Sequence, residues 1–208
     1  MTIKYTEPKR ILATKIFWIN KRIFDVLVSL ILLPVLILSL FLLIILNVFF
    51  NPGKVLFIQK RMGKNCKAFN AYKFRTMKEI LIISRKFDEP LEENRITSLG
   101  KILRKIRLDE LPQIINVLKG EMSLIGPRPD YYEHALVYLE KINGYRDRHI
   151  VRPGITGLSQ IRLGYVESLD AAKKKSNTDN YYIKNIGYRI EIKIIISTIY
   201  VIFKRLGN

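Results

Sequence analysis

From Val26 to Phe50 the chain reads VLVSLILLPVLILSLFLLIILNVFF, 25 residues without a charge. No ordinary soluble fold exposes such a run, so a membrane segment is the first constraint. At roughly 1.5 Å per residue a straight helix of it would reach about 37 Å, enough for a hydrocarbon core of about 30 Å. A simple span is the plain reading. Two features point elsewhere. Lysine and arginine mark the cytoplasmic side of a span, yet both flanks carry them: Lys9, Arg10, Lys15, Lys21 and Arg22 before, Lys54, Lys60, Arg61, Lys64, Lys67 and Lys73 after. Pro34 lies inside the run, where it removes a backbone hydrogen bond and predicts a kink. A broken, re-entrant helix that enters and leaves by one face satisfies both observations. A signal peptide is disfavoured because the run is too long, starts late and lacks a small-residue cleavage site. Ile16 to Ile19, between Lys15 and Lys21-Arg22, suit the headgroup layer. The expected organisation is a membrane segment over 1–53 and a cytosolic domain over 54–208.

The 208 residues include 36 basic and 18 acidic side chains, a net charge of +18. An excess that large implies anionic partners: nucleic acid, anionic lipid or phosphorylated substrates. Nucleic acid is disfavoured because the basic residues are spread along the chain and follow no known binding pattern. The single Cys66 excludes an intramolecular disulfide and suits a reducing compartment. His134 and His149, without Cys or His neighbours, give no zinc spacing and read as structural.

After Gly53, VLFIQKRMGKNCKAFNAYKF has two β-forming runs around GKNC and predicts a hairpin. Residues 84–95 read as a polar loop. ITSLGKILRKIR places Leu99, Ile102, Leu103 and Ile106 at helical spacing, capped by Thr97 or Ser98. A further helix is expected from Asp109 to Lys119-Gly120, with Leu111, Ile114, Ile115 and Leu118 on its apolar face. IEIKIIISTIYVIFKRL, bounded by Lys204 and Arg205, is either core or a second, surface-bound amphipathic helix. The fold class is therefore α+β: a kinked membrane helix and a helix-rich domain with a small β-hairpin and interfacial amphipathic helices.

The chemistry concentrates in RKIRLDELPQ. If Asp109 is an N-cap, Pro112 falls in the first turn, where its missing N–H costs nothing. Asp109 is then a cap and Glu110 a complement to the helix dipole. The same helix start also offers N–H groups to a phosphate, and an ionised carboxylate there could serve as nucleophile or magnesium ligand. Adjacent helical positions point about 100° apart, which fits one attacking residue and one metal-holding neighbour better than an acid–base pair. Downstream, GPRPD sets Arg128 between Pro127 and Pro129 after Gly126, a rigid presentation for a guanidinium that grips phosphate. VRPG repeats the device with Arg152.

KRIFD leading into the apolar run, then VLFIQKRMGK, YKFRTM, RLDELPQIINVLKGEMSLIGPRP, VRPGITGLSQI and DNYYIKN, together resemble the monotopic phosphoglycosyl transferases among the bacterial sugar transferases. The resemblance runs from about residue 20 onward. It implies transfer of a sugar 1-phosphate from a UDP-sugar to polyprenyl phosphate, usually undecaprenyl phosphate, on the cytoplasmic face of the bacterial inner membrane. UMP is released and a surface glycan or glycoprotein glycan is started; downstream glycosyltransferases are then potential partners. It implies Asp109 as the nucleophile that forms an aspartyl phosphosugar and Glu110 as a ligand of Mg2+. Arg104, Arg128 and Arg152 match family arginines near the active site, and Lys21 and Arg22 the basic pair opening the re-entrant helix. Three positions depart from the family: Leu33 stands where serine commonly precedes the proline, Leu158 where tryptophan is frequent, and Glu191 where aspartate is usual. The alternative to an enzyme is a membrane-tethered basic module that binds anionic lipid or nucleic acid.

Overall fold

A stripe of buried positions, Phe17, Lys21, Asp25, Ser29, Leu36, Ser39, Leu43 and Asn47, recurs along the apolar segment at steps of three, four or seven. That spacing lays one face of a helix against a partner. In the computed structural model, which describes residues 13–79, 92–163 and 168–203, helix α1 runs continuously from Lys15 to Phe50 with Pro34 inside it. Thr14 caps its start by accepting from the Phe17 amide. The opposite face exposes Leu27, Ile31, Leu38, Phe41, Ile45 and Val48.

Strands β1 (Leu56–Met62) and β2 (Ala68–Phe74) form the expected antiparallel hairpin, with Leu56 opposite Phe74 and Met62 opposite Ala68. Its turn is a tight one in which Asn65 and Cys66 both take positive φ. Cys66 is half-buried and burial pushes its thiol up, which keeps it a protonated, unreactive thiol. Helix α2 (Ser98–Lys105) is capped by Thr97, whose hydroxyl accepts from the Gly100 amide. Of its expected apolar positions Leu103 is buried, whereas Ile102 and Ile106 are exposed. Residues 84–91 of the expected polar loop lie outside the described residues, and Glu93–Arg95 form a 3-10 turn. Lys204 and Arg205 lie outside them as well.

The helix expected from Asp109 starts later. Arg107 adopts the left-handed conformation (φ 59°), Leu108–Glu110 form a 3-10 turn, and α3 spans Gln113–Leu118 with Pro112 at its N-cap. Asp109 is therefore not an N-cap. The reason is Arg107, which ends α2 as a glycine often does and turns the chain before α3 can begin. The C-terminal stop is as expected, with Gly120 at φ 80°.

Strands β3 (Ser123–Ile125) and β4 (Gly154–Thr156) form a short parallel pair. Around it lie α4 (Tyr132–Lys141), α5 (Leu158–Leu163), α6 (Leu169–Lys184) and α7 (Tyr188–Phe203). α7 buries Ile194 but leaves Ile192, Ile196, Ile199 and Tyr200 exposed, so it is core along one side only. The N-terminal end of α1, through Phe17, joins a core of Ile125, Val151, Leu158, Tyr182, Ile183, Ile186 and Ile194. Its later turns, through Leu36 and Leu43, join a second core with Phe74, Leu103 and Ile114.

Polar contacts fasten α1 at both ends to the same domain. Near its start, Lys21 pairs with Glu191 at 2.5 Å, Arg22 donates to the Val117 and Leu118 carbonyls at the end of α3, and Asp25 accepts from the Leu124 amide. At its exit, Asn51 donates to the Arg75 carbonyl, and Arg75 donates to the carbonyls of Asn51, Pro52 and Lys54.

Candidate active site

The turn after Arg107 buries both carboxylates, Asp109 and Glu110. A left-handed non-glycine residue is strained by about 1–2 kcal/mol, and it stands two positions before Asp109. Glu110 meets Arg128 through both guanidinium nitrogens, with Nη1 donating to Oε2 at 3.0 Å and Nη2 pairing with Oε1. Lys73, from β2, donates to Oε1 at 2.9 Å. β2 is aligned for this by the buried Asn116 of α3, which accepts from the Tyr72 amide and donates to the Asn70 carbonyl.

The electrostatics separate the two acids. Burial alone would raise the Glu110 carboxyl, but Arg128 and Lys73 outweigh it and hold Glu110 well below the usual carboxylate range. Asp109 goes the other way: burial first, then the Glu110 charge, pushes it up. Its Oδ1 is buried without a hydrogen-bond partner among the described residues. Burial pushes the Lys73 ammonium down to about 8, with Glu110 opposing and Arg128 and Arg61 adding to the effect. The site thus holds one firmly ionised carboxylate, gripped by Arg128 and Lys73, beside one carboxylate with an unused oxygen.

Of the remaining expected residues, Arg104 is held near by its Nε, which donates to Thr76 Oγ1 at 3.0 Å. Arg152 donates through Nε to the Gly120 carbonyl at 2.7 Å, at the far end of α3. Gly126 makes the backbone approach that brings GPRP and VRPG together: a Cβ there would sit 2.6 Å from the Arg152 carbonyl oxygen. Lys21 and Arg22 make the contacts within the chain described above, and Pro34 lies in mid-helix.

Sequence reasoning missed Lys73, although YKFRTM contains it. It also missed a buried charged cluster behind the Pro-Arg-Pro loop. Asp130 is bound by Arg148, Lys175 and the Tyr145 hydroxyl, and Asp179 Oδ2 lies 2.8 Å from Arg148 Nη2. Burial opposes ionisation of Asp130, yet Arg148 and Lys175 hold it far below the usual range.

His149 is structural, as its isolation in the sequence predicts. It is buried with Nδ1 3.2 Å from the Gly63 carbonyl oxygen, and burial, then Arg148, pushes it from an ordinary 6.5 down to about 3. Between those values the unfolded chain binds the proton and the folded chain does not. Stability is therefore lost as pH falls below about 6.5, by about 1.4 kcal/mol per unit. His149→Gln is expected to flatten the melting-temperature profile of the detergent-solubilised protein between about pH 6.5 and 4.5. A profile as steep as the parent's would show that another group carries the acid sensitivity.

A helix long and apolar enough to cross a membrane is thus fixed along a domain in which a carboxylate pair is framed by Lys73, Arg104 and Arg128. Residues 16–205 match the family described as bacterial sugar transferase, and the chain belongs to that family. It is 39% identical over 203 residues to the UDP-N-acetylgalactosamine-undecaprenyl-phosphate N-acetylgalactosaminephosphotransferase of Aeromonas hydrophila, covering 95% of this chain and 47% of that protein. It is 40% identical over 189 residues to the exopolysaccharide production protein PSS of Rhizobium leguminosarum bv. phaseoli, covering 86% of this chain and 92% of that one. It is 40% identical over 152 residues to the UDP-glucose:undecaprenyl-phosphate glucose-1-phosphate transferase of Escherichia coli K12, covering 72% and 33%. The chain thus spans about half of the Aeromonas protein, a third of the Escherichia protein and nearly all of the Rhizobium protein.

Proposed function

We propose that the chain transfers a sugar 1-phosphate from a UDP-sugar to polyprenyl phosphate at the cytoplasmic face of the bacterial inner membrane. The observation that carries this reading is the division of labour between Asp109 and Glu110 in a member of the sugar transferase family. Asp109 Oδ1, unpartnered, attacks the sugar-bearing phosphorus of the donor. The bond between that phosphorus and the bridging oxygen breaks, and UMP leaves. The aspartyl phosphosugar is then attacked by a phosphate oxygen of the lipid. The bond to Asp109 breaks and the product is a polyprenyl diphosphosugar.

An anionic nucleophile and a diphosphate repel each other, so the protein's work is positioning and charge neutralisation. Lys73, Arg104 and Arg128 supply fixed positive charge for it, whereas the Arg152 guanidinium is held on the Gly120 carbonyl at the other end of α3. Mg2+ prefers one or two carboxylates plus substrate phosphates. The residues fit such an ion at Glu110, whose Oε2 accepts a single hydrogen bond among the described residues, from Arg128. Held by Glu110, the ion would neutralise the donor's phosphate charge while Asp109 stays available for attack.

One-sided membrane attachment is supported by the fastening of α1. Lys21 and Asn51, held to one domain, would stand about 45 Å apart on a straight helix, further than the bilayer core is thick. A true span would carry one of those contacts to the far side. We read α1 as re-entrant, bent at Pro34, with Lys21 and Arg22 at the interface. The exposed isoleucines of α2 and α7 then add surface for phospholipid acyl chains, as interfacial helices do. With Cys66→Ser as background, Lys15→Cys and Lys54→Cys are both expected to be labelled by a membrane-impermeant reagent in inside-out vesicles. Labelling from opposite sides would establish a span.

The catalytic reading is tested by incubating the protein with Mg2+ and a panel of UDP-sugars without lipid. A mass increase equal to one sugar phosphate, with UMP released, is the expected result. UMP release only when polyprenyl phosphate is added would keep the transferase and remove the covalent step.

A further inference from the structure

Residues 127–130 belong to no helix or strand, yet Arg128 must face Glu110 with a bidentate grip. All four backbone carbonyls of this stretch accept a bond from elsewhere in the chain. The Pro127 carbonyl takes the Gly154 amide at 3.0 Å, the Pro129 carbonyl takes Arg61 Nη1 at 2.8 Å, and the Asp130 carbonyl takes the Met62 amide at 3.1 Å. The Arg128 carbonyl takes Arg148 Nη2 at 2.6 Å. Arg148 is wholly buried.

The geometry points to Arg148 as a positioning residue that acts through Arg128. Its guanidinium is a fork with three kinds of partner. Nη1 meets Asp130 and the Tyr145 hydroxyl, and Nη2 reaches both the Arg128 carbonyl and Asp179. Lys175 and Asp179, one helical turn apart on α6, complete a cluster of two acids and two bases. The cluster sets two acids against two bases, with Arg148 and Asp179 fully buried and Asp130 and Lys175 half-buried, and pairing of this kind is what makes buried charge tolerable. It ties α6, through one guanidinium, to the backbone of the residue that grips Glu110. Lysine in place of Arg148 would keep the charge and lose the fork, because an ammonium cannot reach Asp130 and the Arg128 carbonyl in the same planar geometry. The effect on turnover rests on the transferase reading; the effect on the loop does not.

The test uses the full chain in detergent with Arg148→Lys, Arg128→Lys and the double substitution. Two quantities are read. One is hydrogen exchange at the Met62 and Gly154 amides, which donate to the loop. The other is UMP release in the complete reaction. Arg148→Lys is expected to speed exchange at both amides by about tenfold or more while the amides of α1 keep their protection. It is expected to lower kcat by about a hundredfold, the scale of a 1 Å misplacement, with KM changed far less. In the Arg128→Lys background it should add almost nothing, because a residue acting through Arg128 has nothing left to position. Unchanged exchange, wild-type turnover, or losses that multiply in the double variant would each overturn the assignment. If the unaltered chain releases no UMP from any donor, the transferase reading falls, and the exchange result alone decides whether Arg148 positions the loop. Should Arg148→Lys not fold, Tyr145→Phe removes a brace of the same guanidinium at constant shape and is read in the same two ways.

Discussion

Asp109→Asn is expected to abolish the sugar-phosphate adduct and to lower UMP release by on the order of a thousandfold or more, as loss of a covalent nucleophile does. The substitution keeps size and removes only the charge and one lone-pair-rich oxygen. The Glu110 grip by Arg128 and Lys73 does not involve Asp109, so the neighbouring charges stay paired. Burial and Glu110 already push the Asp109 carboxyl up, so a neutral amide relieves an unfavourable charge. The melting temperature should therefore hold or rise while activity disappears. Intact mass with a UMP assay measures the first effect and thermal unfolding the second. Persistence of the adduct on the asparagine variant would move the nucleophile elsewhere. A falling melting temperature would show that Asp109 supports the fold as well.

Gly154→Ala is expected to destabilise the domain by about 3 kcal/mol or more, at the upper end of overpacking costs. A Cβ at Gly154 would lie 2.5 Å from the Thr156 carbonyl oxygen and 2.6 Å from that of Gly126. Both are backbone atoms, which no side-chain rotation can move aside. The parallel pair β3–β4 would have to open, and with it the Gly154 bond to Pro127 that helps hold the Pro-Arg-Pro loop. Gly187→Ala is the control: nothing lies within 4 Å of its Cβ, and its melting temperature should stay close to the parent's. Thermal unfolding of both variants in one detergent measures the contrast. Equal stability of the two would mean that the strands accommodate a methyl group by sliding apart.

What could be read from the sequence were features encoded within a few residues. The uncharged run, the hairpin around GKNC, the Thr97 cap and the stop at Gly120 each follow from local patterns. Asp109 as N-cap failed because the deciding residue was Arg107. Its backbone is left-handed, and an arginine carries no mark of that in the sequence. Arg128 was legible as a stiffly presented guanidinium, but its grip on Glu110 joins residues 18 apart through a fold not yet known. The cluster of Asp130, Arg148, Lys175 and Asp179 is further removed from any period, since Lys175 and Asp130 stand 45 positions apart. Charged residues look the same in sequence whether they face water or one another. The apolar positions of α2 and α7 show the converse: helical spacing was right, yet Ile102, Ile192, Ile196 and Ile199 are exposed, and the spacing alone does not tell a core face from an exposed one.

The fastening of α1 also bears on how the molecule is made. Lys21 finds its partner Glu191 at a separation of 170 residues. At about 5–20 residues per second that partner leaves the ribosome roughly 10–35 s after Lys21 does. Asn51 finds the Arg75 carbonyl, 24 residues on, within seconds. The exit end of the apolar helix is therefore anchored early and its entry end late. In a chain synthesised in this order the entry end meets Val117, Leu118 and Leu124 before α7 supplies Glu191, so the contact between Lys21 and Glu191 is the last of these to form.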